Sequence, residues 1–196
     1  ESKYGKDVAD VERLRQRTAY AAVVRRDSPL NIASPLDDYY YPGVGNKGAM
    51  IWRLLAKKVG QVEMFTAIRA AMQDGSFTLS EFRAANSANK EFLDHMLDQV
   101  TDTNLQVGLP QVSGGESKIN LRNSGAVDVT VNVAALLANG ERMSAPTTIR
   151  AKSFGEVVFK TVNKIIRVEV DPEKFYPQTE YSDDVAPRDL TDSDLL

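Results

Sequence analysis

The chain has 196 residues, 42% hydrophobic and 26% charged, an ordinary balance for a globular protein of one large domain or two small ones. Its net charge of −3 argues against a nucleic-acid binder, which carries a basic excess. The absence of cysteine excludes disulfides, thiolate nucleophiles and Cys-ligated zinc, and no run of about 20 apolar residues offers a membrane span.

Residues 6–25 are expected to form a helix. Val8, Val11, Leu14, Ala19, Ala22 and Val23 keep helical spacing, while Arg13, Arg15, Arg17, Arg25 and Arg26 make the other face basic. Such an arginine run is ordinarily a solvated face. Asp27-Ser28-Pro29 stops the helix, and a loop runs from Leu30 to Gly45. A second helix follows, capped by Asn46 or Gly45. It buries Met50, Ile51, Leu54, Leu55 and Val59, and ends at Gly60. Its start presents unpaired N–H groups and a positive dipole end, which suits a pocket. It is also the common way for any loop to enter a core helix.

Met64, Phe65, Ile68 and Met72 continue the helical period to a stop at Asp74-Gly75. Thr78-Leu79-Ser80-Glu81 is a capping box that starts a short helix with Leu79 and Phe82. Phe92, Leu93, Met96, Leu97 and Val100 mark another helix, and Phe65, Phe82 and Phe92 are expected in the core. Short helices with short joints suggest antiparallel neighbours.

Near residue 104 the period drops to two. Ile119 and Leu121, then Val127 to Val133, then Ile166, Val168 and Val170 alternate with polar residues, as strands with one buried face do. Asn123-Ser124-Gly125 and Asn139-Gly140 are hairpin-type turns, and further strands fit near 105–109, 146–151 and 155–161. Six or seven strands of this kind predict a small sandwich. The expected fold is α+β and multidomain: a helical segment over 1–102, an immunoglobulin-like β-sandwich over 103–182 and a polar tail over 183–196. Phe175, Tyr176 and Tyr181 are placed to pin the tail, whose last ten residues should be loose.

The stretch Tyr39–Gly60, YYYPGVGNKGAMIWRLLAKKVG, resembles the M1 (gluzincin) family of zinc aminopeptidases. In that family a tyrosine stands shortly before Lys-Gly, typically as Tyr-x-Lys-Gly, and an apolar helix ending in Leu-Gly or Ile-Gly follows. Lys47, Gly48 and Ala49 match, and so does the order of short helices before a β-rich end. The resemblance implies the end of a thermolysin-like catalytic domain plus the sandwich after it, within a longer parent whose zinc helices lie upstream. In an intact member, zinc-bound water attacks the scissile carbonyl and residues leave the N-termini of peptides. Tyr39, Tyr40, Tyr41, Asn46 and Lys47 would then form one wall of the cleft, with the rest of the parent packed on the helical segment. The sandwich would be a spacer or interaction module. Family habit and the missing cysteines suggest a periplasmic or secreted bacterial protein.

Two family features are missing. The zinc site needs His-Glu-x-x-His on one helix and a glutamate on the next. This chain has a single histidine, His95, expected to be an ordinary helix residue. No metal site is therefore expected here, and zinc belongs to the parent alone. The family tyrosine, which stabilises the oxyanion, is replaced by Gly45 when the chain is aligned on Lys47-Gly48. Losing one such donor costs about two to three orders of magnitude in rate. Tyr41 or Tyr40 would have to swing in as a substitute.

Other motifs fail. Ser113-Gly114-Gly115 and Gly43-Val44-Gly45 lack the setting of a phosphate loop, and Asp37-Asp38 and Asp183-Asp184 lack calcium-loop spacing. One histidine in a helix supports no Ser–His–Asp set. The chain by itself is expected to be inactive. The alternatives are an M61-like metallopeptidase, a non-catalytic scaffold or binding protein that kept the fold, and a self-standing adhesion module.

Overall fold

The computed structural model describes residues 3–72 and 75–188. Helices come first and antiparallel sheets second, so the fold is α+β. The chain divides into two units, Glu1–Thr101 with Phe175–Pro177 and Asp102–Lys174 with Gln178–Leu196.

The helical unit opens with α1, Lys6–Ala21, shorter than the spacing predicts and followed by a 3-10 turn over Val24–Arg26. Its orientation reverses the expected one. Val8, Val11 and Leu14 are exposed, while Arg17 and Tyr20 are buried. Tyr20 sets the rotation, because its ring is fully enclosed and its hydroxyl lies 2.5 Å from Thr101 Oγ1. A buried tyrosine needs such a partner for its hydroxyl.

Helix α2, Asn46–Val59, buries Met50, Ile51, Leu54 and Leu55 on the face the spacing predicts. Gly60 ends it at φ +96°, a left-handed value that glycine adopts without steric cost, and α3 runs from Gln61 to Ala71. Asp74, part of the expected stop, lies outside the described residues. Helix α4, Leu79–Ala85, begins with the capping box: Thr78 N donates to Glu81 Oε2 at 2.7 Å and Glu81 N to Thr78 Oγ1 at 3.2 Å. Helix α5 is Lys90–Asp98. The core joins Leu55, Met64, Phe82 and Leu93, with Ile68, Phe92 and Leu97 against it. Phe65 is not in that core. It is exposed, one position round α3 from the buried Met64.

The second unit contains β1 (Leu105–Val107), β2 (Gln111–Ser113), β3 (Glu116–Asn123), β4 (Val129–Leu137), β5 (Arg142–Ile149), β6 (Ser153–Lys160), β7 (Ile165–Val170) and β8 (Val185–Ala186). β1 and β2 pair with opposite ends of β3 while β6 pairs along its whole length, so β1 and β2 share one edge. The second sheet runs β5-β4-β7-β8, all antiparallel. Alternation is strict in β4, where Val129, Val131, Val133, Ala135 and Leu137 are buried.

Three readings change here. Asn123-Ser124-Gly125 is no hairpin turn, because β3 and β4 lie in different sheets. Asn123 closes the crossing, donating to Val127 O at 2.8 Å and accepting from Gly125 N at 2.9 Å. Gly125 is required there, since a Cβ would come within 2.9 Å of Thr103 Cα. In β7 the inward residue is Ile165, not Ile166, because the register with β4 shifts between Leu136 and Leu137. Finally, the stretch read as tail from 183 begins inside the unit. Asp183 and Asp184 are buried, and β8 pairs with β7. Asn104 and Gln106 donate to Asp183, and Gln178 to Asp184, so amide side chains from the β1 region and from the chain just before the acids hold them in place. Residues 189–196 lie outside the described residues.

Candidate functional site

The entry to α2 is already helical. Tyr41–Gly45 forms one π-helical turn that runs straight into α2, a wide turn often found at functional sites. Gly45 has φ −64° and ψ −42°, so it does not act as a cap of the expected kind. Asn46 is buried, and its side chain donates back to Pro42 O at 2.7 Å, tying the π turn to the helix.

Lys47 follows, and it is only 1% exposed. Its Nζ lies 2.6 Å from Asp27 Oδ2 and 3.3 Å from Gln99 O. The same Asp27 oxygen accepts Thr101 N at 2.7 Å. One ion pair thus pins the end of the α1 region, the start of α2 and the chain after α5. Burial pushes the Lys47 ammonium below its ordinary pKa, and the hydrogen bond and charge of Asp27 oppose that shift. Removing two charges from water is costly unless both are paired and hydrogen-bonded, and here they are.

Two pockets flank the π turn. The larger, about 510 Å³, is apolar throughout; Gly45, Gly48, Ala49, Trp52, Phe77 and Phe82 are among its walls. Its aromatic side is a packed set, with Trp52 and Phe82 centroids 4.9 Å apart and Phe77 and Phe82 5.9 Å apart. The smaller, about 330 Å³, is mixed: Arg26, Asp27, Asp37, Asp38, Tyr39 and Tyr40 bring charged and polar groups to it beside apolar side chains such as Val23 and Leu30. Leu30 and Val44 line both.

The expected site residues therefore separate. Tyr39 and Tyr40 line the smaller, mixed pocket and Gly45 the apolar one, while Asn46 and Lys47 are buried. Tyr41 is 76% exposed and packs edge-on against Tyr40. His95 is half-buried on α5. Sequence reasoning saw Asp27 only as a helix stop and passed over Trp52 and Phe77. The signal for Asp27 was a lone acid beside a helix end, which spacing cannot match to a lysine twenty residues on. Among the described residues no three His, Asp or Glu side chains form a group that could hold a metal, and no helix is long and apolar enough to cross a membrane.

Compared with known proteins, the chain matches no family model and no curated protein.

Proposed function

We propose that the chain is the C-terminal part of an M1-like zinc metallopeptidase, in which the helical unit supplies one wall of the substrate cleft and the chain alone performs no chemistry. The observation that carries this reading is the Lys47-Gly48 entry: a buried, ion-paired anchor beside a roomy apolar pocket. That pocket offers binding surface but no acid, base or nucleophile. A wall that positions a substrate for chemistry done elsewhere has this character. The exposed stripe of Val8, Val11 and Leu14 on α1 supports a further part of the reading, that the rest of the parent packs on this unit. The two sheets, each with an alternately buried face, would form the immunoglobulin-like sandwich that follows the catalytic domain. The peptide substrates and the zinc belong to the parent.

A second reading, a non-catalytic binding protein derived from the same fold, draws support from Gly45. Its helical backbone accepts any residue, and an added Cβ would meet nothing within 4 Å. Nothing in the fold demands a glycine where the family carries its tyrosine.

The two readings part in the full-length parent, assayed for zinc content and for hydrolysis of aminoacyl anilides, wild type beside Gly45→Tyr. The peptidase reading expects bound zinc, and a gain of about two orders of magnitude in rate for Gly45→Tyr if that oxyanion contact is what is missing. An active wild type that gains little places the contact on another group, such as Tyr41. A parent that neither holds zinc nor cleaves in either form sinks the peptidase reading and leaves the binding protein.

A further inference from the structure

The two pockets share a wall at Leu30 and Val44 and differ in chemistry on either side of it. We propose that together they form one site for an amphiphilic organic cation, with an apolar body of aromatic size in the larger pocket and a positively charged group in the smaller. The inference does not depend on the peptidase reading, because this binding needs no zinc.

The apolar half is a ligand space rather than a packing defect. Its volume of about 510 Å³ lies within the range of small-molecule pockets, about 300–1,000 Å³. It is floored by Gly45 and Gly48, one helical turn apart, and a Cβ at either would meet nothing within 4 Å. Helix formation does not ask for glycine at position 48, since alanine would be favoured there by about 1 kcal/mol. Trp52, Phe77 and Phe82 offer ring surfaces for an aromatic body.

The polar half sets the sign of the head group. Asp27 is committed to Lys47, and these two charges cancel. Arg26 lies over the Tyr39 ring, 4.3 Å from its centroid. Asp37 accepts only the backbone N–H of Ser34, at 2.9 Å, and neither Asp37 nor Asp38 meets a cation among the described residues. Arg26 at +1 against Asp37 and Asp38 at −2 leaves a net charge of −1 facing the pocket. An ammonium group is attracted by both carboxylates, and a carboxylate is repelled by them.

Such a ligand is either a small aryl-alkyl amine or a peptide that pairs an aromatic side chain with a lysine. Trp52 is the only tryptophan in the chain and lines the apolar pocket, so its emission reads occupancy directly. The 196-residue chain is titrated with 4-phenylbutylamine, 4-phenylbutanol and 4-phenylbutyrate, with calorimetry as a second readout. A blocked peptide, acetyl-Phe-Gly-Lys-amide, forms the second arm, beside its Glu counterpart. The amine is expected to bind first, the alcohol next and the acid last, amine over acid by about tenfold, as two exposed carboxylates would supply. Asp37→Asn with Asp38→Asn should bring that ratio close to one. Gly48→Leu, which fills the floor and favours the helix, should abolish binding of every probe while leaving circular dichroism intact. Binding by only one arm identifies the source. If no probe binds, if amine and acid bind alike, or if Gly48→Leu binds as wild type does, the proposal is wrong.

Discussion

The two units are built on opposite principles. In the sheet unit the apolar residues face inward at every second position, from Val129 to Leu137 and through Ile119 and Leu121, and little apolar surface on those strands is left outside. In the helical unit the buried core is small, centred on Leu55, Met64, Phe82 and Leu93, while Val8, Val11, Leu14, Val62 and Phe65 face out. What ties the α1 region to α2 and to the chain after α5 is polar: Lys47 with Asp27, Asp27 with Thr101 and Tyr20 with Thr101. The difference teaches that periodic burial holds the sheets in register, whereas the placing of α1 depends on a few long-range polar contacts that no local pattern announces.

The comparison can be broken most sharply at the anchor. Lys47→Met leaves Asp27 buried without its cation and should destabilise the helical unit by about 3–5 kcal/mol. Urea unfolding followed by Trp52 emission checks this, and a cost below about 1 kcal/mol would show that the pair is ornamental. In the sheet unit, Leu121→Ala removes a side chain only 1% exposed and should cost about 2–5 kcal/mol, read by far-ultraviolet circular dichroism.

Acidity is a gentler probe. The N–H groups of Ser182 and Tyr181 hold the Glu180 carboxyl below its ordinary value of 4.5, and the Lys90 hydrogen bond, aided by Arg83, does the same for Asp94. A depressed folded pKa means that the unfolded chain binds the proton first. These contributions are therefore present above about pH 4.5 and are lost as pH falls through the folded values. Lys47 acts at the other end. Burial lowers its pKa, so the folded protein sheds that proton before the unfolded chain does, and its contribution rises with pH towards the ordinary value of 10.5. Melting temperature against pH should show an acid limb, and Lys47→Met should flatten the alkaline one. An unchanged alkaline limb in that variant would remove Lys47 from the account. The smallest effect belongs to Val11→Ser, expected within about 0.5 kcal/mol because the side chain already faces out. A loss above about 1 kcal/mol would restore α1 to the orientation its spacing suggests.

Much of the fold was legible because it is periodic or local. The α2 face, the Gly60 stop, the Thr78 capping box and the strand alternation need only neighbours in sequence. The rotation of α1 was not legible, since Tyr20 answers to Thr101, 81 positions away. The exchange of Ile166 for Ile165 depends on the register between β7 and β4, where Ile166 is left without a partner, and β8 is two residues that gain meaning only beside β7. At the site, the tyrosines and glycines marked a stretch that lines the two pockets. Asp27, the partner of Lys47, and Phe77 and Phe82, which join Trp52 in the aromatic wall, are residues that the chain brings in from elsewhere.

Gly43, Gly45 and Gly48 fall close together, none has a positive φ, and a Cβ on any of them would touch nothing. Alanine at each such position ordinarily adds about 0.4–1 kcal/mol of stability, largely by restraining the unfolded chain. The entry to α2 thus carries more glycine than its geometry requires, and alanine at these positions should raise the melting temperature. Tyr40 and Tyr41 stand at the N-terminal end of the π turn, while Lys47 just past its other end is 1% exposed and ion-paired.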